Sequence, residues 1–493
     1  MRLNAVSIAV VVSSMSASPA LGRTTVAVAP FSTTSSQEYQ WIGSAIADAL
    51  SLRIHRQDDI NAVTVRQVNA AMRQGNIDVA SLGDEKVAFR LGLEVGSDLF
   101  VTGTYTAAWP DIDVMLVILD PRQKKVVSTQ TFTADLDKIT EVEARAAEAL
   151  ATALGAKSPK VVPGAFGTKK LRAWRSTILA LEILNWQSLA PRAADPNAPL
   201  ALPKEALQKA LNFLDDALKI DPDYGEAWAA LGVAQALAGD TKTAWQSLGK
   251  ATSAGFGHEP TAVLGATFVR MREGRWDDAI KILKDAIDRH PGFLHARGYL
   301  GELYNHMGRH KEALATFQDY AKIASNHPWV LTQLGYTKSK LGDYTGAIAD
   351  TIQAVDMLPE SPSLLVQLAS RYIDANKLNG AEDALQHAVK LFPNEMTVYV
   401  RLGYVYLLQG RDDLAIPISE KALKLGALFE ARRDVGYAHL NLARAYGHKG
   451  NLDLAFQHLG KAKEHGIASF AEVTHDPNLE KLRRDPRYAK GGF

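Results

Sequence analysis

The chain has 493 residues and a mass of 53.5 kDa, too long for one core, so two or more units are expected. Its 55 Lys and Arg are balanced by 54 Asp and Glu, which argues against a polyanion-binding surface and so against bulk nucleic-acid binding. The absence of cysteine excludes disulfides, thiolate nucleophiles, zinc–thiolate sites, iron–sulfur clusters and a cysteine-linked lipid anchor.

In chain order, Arg2 is followed by the apolar run 5–12 and by small residues that include Ser18 and Ala20. A basic start, a short apolar run and a small-residue cut site predict a secretory signal peptide over residues 1–20. The run is too short to span a bilayer. The expectation is a soluble mature chain from about Leu21, periplasmic or secreted. No cysteine weakly fits an oxidising compartment.

Residues 23–155 read as an α+β domain. Thr25 to Ala29 alternates like a buried strand. Ile42, Ile46, Leu50 and Ile54 sit at helical spacing, predicting a helix over 42–53. A second strand is expected over 62–65, with helices over 68–73 and 85–93. Strands over 98–107, 111–119 and 125–133 form an antiparallel meander, with a turn at Asp120-Pro121-Arg122-Gln123. An alanine-rich helix over 139–154 closes the domain. A Pro/Gly linker follows over 156–168.

Three stretches carry a resemblance: Val26-Ala27-Val28-Ala29-Pro30-Phe31, the Gly43 to Leu50 helix, and Leu91-Gly92-Leu93-Glu94-Val95-Gly96-Ser97-Asp98-Leu99-Phe100-Val101-Thr102-Gly103-Thr104-Tyr105. With Val117-Ile118-Leu119-Asp120, this order resembles the amino-terminal domain of the Tol-system protein TolB. The resemblance implies a cell-envelope setting and protein contacts. No propeller sequence follows, so it does not carry over the whole TolB function. With a leader next to the first strand, no upstream DNA-binding or cyclase domain is expected.

Internal repeats govern the rest. Leu331, Leu334, Gly335, Ala347, Thr351, Ala354 and Pro359 form one set. Leu365, Leu368, Ala369, Tyr372, Ala381, Leu385, Ala388 and Pro393 form the next. Tyr399, Leu402, Gly403, Tyr406, Ala415, Ser419 and Ala422 form a third. Leu334, Leu368 and Leu402 fall 34 residues apart. The same set stands at Trp228, Leu231, Gly232, Ala244, Leu248 and Ala251, and three looser copies run from Trp276 to Pro291, from Leu300-Gly301 to Phe317, and from Leu442 to Ala462. This pattern resembles the tetratricopeptide repeat (TPR), a pair of antiparallel helices per unit. Glycine in the first helix lets the second approach closely, alanine fills the crossing, and proline ends the unit. A single pair cannot bury its apolar face, so neighbours stack into one core.

The fold class expected is an α+β amino-terminal domain followed by an all-α TPR solenoid, a right-handed superhelix of helix pairs. The first, interrupted repeat is placed at 169–224, with a leading helix over 171–189 and a loop over 190–203. Seven repeats follow over 225–469. The segment 470–493 is expected to cap the open end.

The search for chemistry finds little. No nucleotide-binding, zincin or serine-hydrolase motif occurs. Gly249-Lys250-Ala251-Thr252 lacks the leading glycine of a phosphate loop. His306 and His310 have metal spacing, but Gly308 breaks the helix between them. Asp111 and Asp113 read as exposed strand-end acids rather than a catalytic pair. Asp277-Asp278 and Asp412-Asp413 read as acids favouring helix amino termini. No catalytic residue, metal or cofactor is expected, and the chain is read as a non-enzyme.

The inner groove remains. Counting from the Leu-Gly landmarks places Phe268, Arg272, Glu302, Trp329, Tyr336, Lys340, Tyr404 and Arg444 on the first-helix face. Several of these also fit plain packing or solvated surface. Aromatic anchors with scattered charges of both signs suit an extended peptide or protein segment. A basic carboxylate clamp is not visible. The leading expectation is an exported scaffold or adaptor for envelope proteins. The alternative is a sensor or assembly factor of an envelope export system, with its key contact in the amino-terminal domain.

Overall fold

The computed structural model describes residues 23–55, 60–75, 77–154, 168, 170–184, 202–324, 327–426, 432–467 and 476–489. The expected leader lies outside the described residues. So do all but Thr168 of the expected linker and all but the last two residues of the 190–203 loop. The chain divides into two compact units, Met1–Val330 and Leu331–Phe493.

The first unit opens with β1 (Thr24–Val28), β2 (Ser32–Thr33), α1 (Trp41–His55), β3 (Ile60–Val63), α2 (Val65–Gln74) and α3 (Glu85–Glu94). Next come β4 (Leu99–Ala108), β5 (Asp111–Asp120), β6 (Lys125–Asp135) and α4 (Ile139–Ala153). The sheet order is β3-β1-β4-β5-β6, with β2 paired to β4. β1 lies parallel to β3 and β4, and β4, β5 and β6 form the expected antiparallel meander. β1 is interior to the sheet, and Val26, Ala27 and Val28 are wholly buried, so both of its faces are covered and the expected alternation is absent. The second strand ends two residues earlier than the sequence suggests. Thr64 leaves the sheet to cap α2, its hydroxyl accepting from Gln67 N while Gln67 Oε1 accepts from Thr64 N, so Val65 is already helical.

Helix pairs follow in the same unit: α5 (Leu171–Leu184) with α6 (Lys204–Ile220), α7 (Gly225–Leu237) with α8 (Thr241–Ser253), α9 (Pro260–Arg272) with α10 (Trp276–Arg289), and α11 (Leu294–His306) with α12 (His310–Ile323). The unit boundary falls early in α13 (Pro328–Lys340).

The second unit continues with α14 (Tyr344–Met357), α15 (Pro362–Asp374), α16 (Leu378–Leu391), α17 (Met396–Leu408), α18 (Asp412–Gly426), α19 (Arg432–His448) and α20 (Leu452–Glu464). The helix pairs thus form a TPR-type solenoid fold after an α+β region. Leu365, Ala369, Ala381, Leu385, Ala388 and Leu402 share one buried cluster, the stacking that the repeated pattern requires. Gly335 shows why the landmark glycine is small: a Cβ there would lie 2.8 Å from Ala347 O and 2.5 Å from Thr351 Oγ1. Two short helices, α21 (Glu480–Arg483) and α22 (Pro486–Ala489), end the described chain. Leu479 and Leu482 are wholly buried in a cluster with Phe456 and Leu459 of α20. Among the described residues no helix is long and apolar enough to cross a membrane.

Candidate protein-binding faces

The leading helices α7, α9 and α11 each offer a polar side chain at their second residue: Glu226, Thr261 and His295. In the first unit these meet the α+β domain. Arg66 of α2 donates to Thr261 Oγ1 at 2.6 Å, and Thr261 donates to Glu226 Oε1 at 2.5 Å. Arg66 also lies 3.5 Å from Glu226 Oε1. Thr64 Oγ1 lies 3.2 Å from His295 Nδ1. Asn61 of β3 donates to the Ile323 carbonyl at 3.3 Å. His55 at the end of α1 packs edge-on against Phe293, ring centroids 4.6 Å apart. The inner face of these repeats is therefore covered by the chain's own α+β domain.

Burial sets the charge state of this interface. Glu226 is 3% exposed, and desolvation outweighs the attraction of Arg66, raising its carboxyl to about 7. Its Oε2 accepts no hydrogen bond among the described residues. Burial also raises Glu302 to about 7. It lowers His295 to about 3, aided by the Arg66 charge, and His327 to about 4. The contact is thus a buried polar one in which burial favours the neutral forms of Glu226, His295 and His327.

The sequence-derived groove residues divide between the two units. Phe268 is buried at 4% exposure. Arg272 and Glu302 are partly covered. Trp329 packs against Phe317, Tyr320 and His327, ring centroids 5.9, 6.0 and 5.9 Å away. In the second unit, Tyr336 stays 37% exposed. Its ring carries Lys340 Nζ at 5.3 Å and Arg371 Cζ at 5.4 Å. Arg371 also lies 3.3 Å from Asp374, whose carboxylate accepts from Ser339 at 2.6 Å. Tyr404 has Arg444 over its ring at 5.2 Å. Arg444 is committed to packing: its Nε donates to Asp476 Oδ2 at 2.6 Å, tying α19 to the residue that caps the turn at Pro477. The structure thus brings Tyr336 and Lys340 together, and Tyr404 with Arg444. It adds Arg371, which sequence reasoning missed. Glu226, Thr261 and His295 were missed too, although they recur at one position of successive leading helices.

The other candidates take ordinary surface roles. Lys250 Nζ sits 3.8 Å over the Trp228 ring. His306 packs at a tilt against Trp276, ring centroids 5.3 Å apart, while His310 Nδ1 lies 3.0 Å from Asn305 Oδ1. Asp113 accepts from Thr133, Asp278 pairs with Arg275 at 2.5 Å, and Asp412 lies 2.9 Å from His448. Among the described residues no three His, Asp or Glu side chains are grouped to hold a metal ion.

Models of the tetratricopeptide repeat match residues 270–330 and 394–465. The chain carries tetratricopeptide repeats. A relative, the BBSome complex member BBS4 of Bos taurus, is 27% identical over 175 residues, covering 35% of this chain and 30% of that protein. The chain therefore matches under a third of that relative's length. Among solved structures, MamA residues 41-end from Desulfovibrio magneticus RS-1 is 20% identical, with a TM-score of 0.30 over 34% of this chain and 96% of that one. A tetratricopeptide repeat protein from Parabacteroides merdae is 15% identical, with a TM-score of 0.38 over 57% and 92%. Proteins built from these repeats act as protein-interaction scaffolds.

Proposed function

We propose that the chain is an exported, non-enzymatic scaffold of the bacterial cell envelope that holds an extended protein segment on the leading helices of its second unit. The observation that carries this reading is the exposed Tyr336 ring flanked by Lys340 and Arg371. A rigid aromatic surface with two cations suits a segment bearing an apolar and an acidic residue. The first unit is a poorer candidate, because its own α+β domain lies against α9 and α11. Export rests on the leader-like residues 1–20, and the envelope setting on the resemblance of residues 23–155 to the TolB amino-terminal domain. Edman analysis of the native protein checks export. A start near Leu21 is expected, and an intact Met1 on cytosolic protein counts against it.

The test of binding uses the full chain to capture partners from an envelope fraction. A partner retained by the wild type and lost by Tyr336→Ala with Lys340→Glu, at unchanged helicity, supports the reading. Equal retention by the variant overturns it. The alternative, an export-system sensor with its contact in the amino-terminal domain, is favoured by one observation. Trp109 and Met115 remain 64% and 39% exposed on the β4–β5 hairpin. On that reading, Trp109→Ala with Met115→Ser loses the partner instead.

A further inference from the structure

A cleft of about 360 Å³ opens within the first unit between α1, α2 and α5. That size falls in the range of small-molecule sites. Its walls have two characters. Asp48 and Ser44 stand one turn apart on α1, and Glu182 faces them from α5, accepting from Ser44 Oγ at 2.5 Å. Met72 of α2 and Ile178 and Leu181 of α5 make the apolar side.

The cations along this cleft are already engaged. Arg66 is held by Thr261 and Glu226, and Arg73 also has a partner. Asp78 is spent on Ser81, whose hydroxyl it accepts at 2.7 Å. Asp48 is different. It takes no hydrogen bond among the described residues, and burial raises its pKa despite the Arg66 charge. Asp48 is half-buried on the cleft wall, so its acceptor oxygens are open to a donor brought by a ligand. The donor set does not suit a metal, since no three carboxylate or imidazole groups converge here among the described residues.

We propose that this cleft is a binding site for a small organic cation, a primary amine with an alkyl or aryl tail. An ammonium group has three donors. Asp48 and Glu182 accept two of them as charge-assisted bonds, and the Asn69 side-chain carbonyl, also on the cleft wall, accepts the third. The tail lies along Met72, Ile178 and Leu181. Because α1 and α2 belong to the α+β domain and α5 leads the first repeat, a bound amine clamps one onto the other.

The test is calorimetric titration of the whole chain at pH 7.5 with n-hexylamine, and in parallel with 1-hexanol and hexanoate. Saturable binding of hexylamine is expected, with hexanol at least tenfold weaker and hexanoate not bound. Asp48→Asn should lose at least tenfold. Glu182→Gln alters an exposed rim residue, so it remains informative if Asp48→Asn misfolds, and it should lose several-fold. Hexanol binding as tightly as hexylamine, no saturation at millimolar amine, or full affinity in Glu182→Gln would each overturn the assignment.

Discussion

At Gly335 a side chain has nowhere to go. The atoms a Cβ would strike are the Ala347 carbonyl oxygen and Thr351 Oγ1 of the facing helix, and the first is backbone that cannot swing aside. Gly335→Leu should therefore lower the melting temperature, with a cost of about 1–3 kcal/mol or more. An unchanged thermal melt would show the register to be misplaced. Glu226 supports a different kind of test. Its carboxyl is raised to about 7 in the fold against an ordinary 4.5, so the folded state holds this proton more tightly than the unfolded chain. That contribution is fully present below about pH 4.5 and is lost as pH rises through 7. Glu226→Gln keeps an acceptor for Thr261 but removes the titration. The stability of the wild type relative to this variant should fall between pH 4.5 and pH 7.5, by about 1–3 kcal/mol. Parallel denaturant titrations across that range check it, and a constant difference would mean that Glu226 ionises normally. His295 works in the opposite sense. Lowered to about 3, it favours the fold above its ordinary 6.5, and that benefit fades as pH drops toward 3.

The helices themselves were legible because their signals are local. Gly342 adopts a φ of 85° after α13, and the next residue, Asp343, is the N-cap of α14. Asp343 accepts from Gly346 N at 2.9 Å, and a Cβ at Gly346 would lie 2.2 Å from the Asp343 carboxylate. The cap and the small residue three positions later are one device. Asp343→Ala should cost about 1 kcal/mol of thermal stability, while Asp343→Asn should cost little, because the amide oxygen still caps. Equal losses from both would assign the effect to charge instead. The meander was equally readable, because the turn signal at Asp120-Pro121-Arg122-Gln123 separates β5 from β6. The reading slipped at Thr64, where one residue both ends a strand and begins a helix. Arg444, read as a groove residue, has a partner that the reading did not foresee. The ion pair with Asp476, on a segment past the last full repeat, is invisible in any local window.

The self-docking of the α+β domain in the first unit was not legible, and the reason is physical. Each participant looks ordinary where it stands: Arg66 as a helix-surface cation, Glu226 as an acid in a first turn, His295 as one more repeat residue. Only folding brings Arg66 to Thr261, 195 positions further along the chain, and no periodicity marks a contact made once. The polarity of this interface also hides it from a search for apolar faces. A single methyl group tests it. Gly292 lies in the turn before α11, and a Cβ there would stand 2.5 Å from the Ile60 carbonyl oxygen of β3. Its other near neighbours, the Arg23 guanidinium and the Asn61 side-chain oxygen, are 3.4 Å away and also belong to the α+β domain. Gly292→Ala thus strains the docking contact and little else. Amide hydrogen exchange should quicken in β3 and at the start of α2, and also at the start of α11, where Thr64 meets His295. Exchange in α6 and α8, on the far helices of their pairs, should stay as in the wild type. Acceleration spread evenly through α5 to α12 would mean that the α+β domain is a structural part of the repeats and not a domain docked on them. Unchanged exchange in β3 would remove the contact itself.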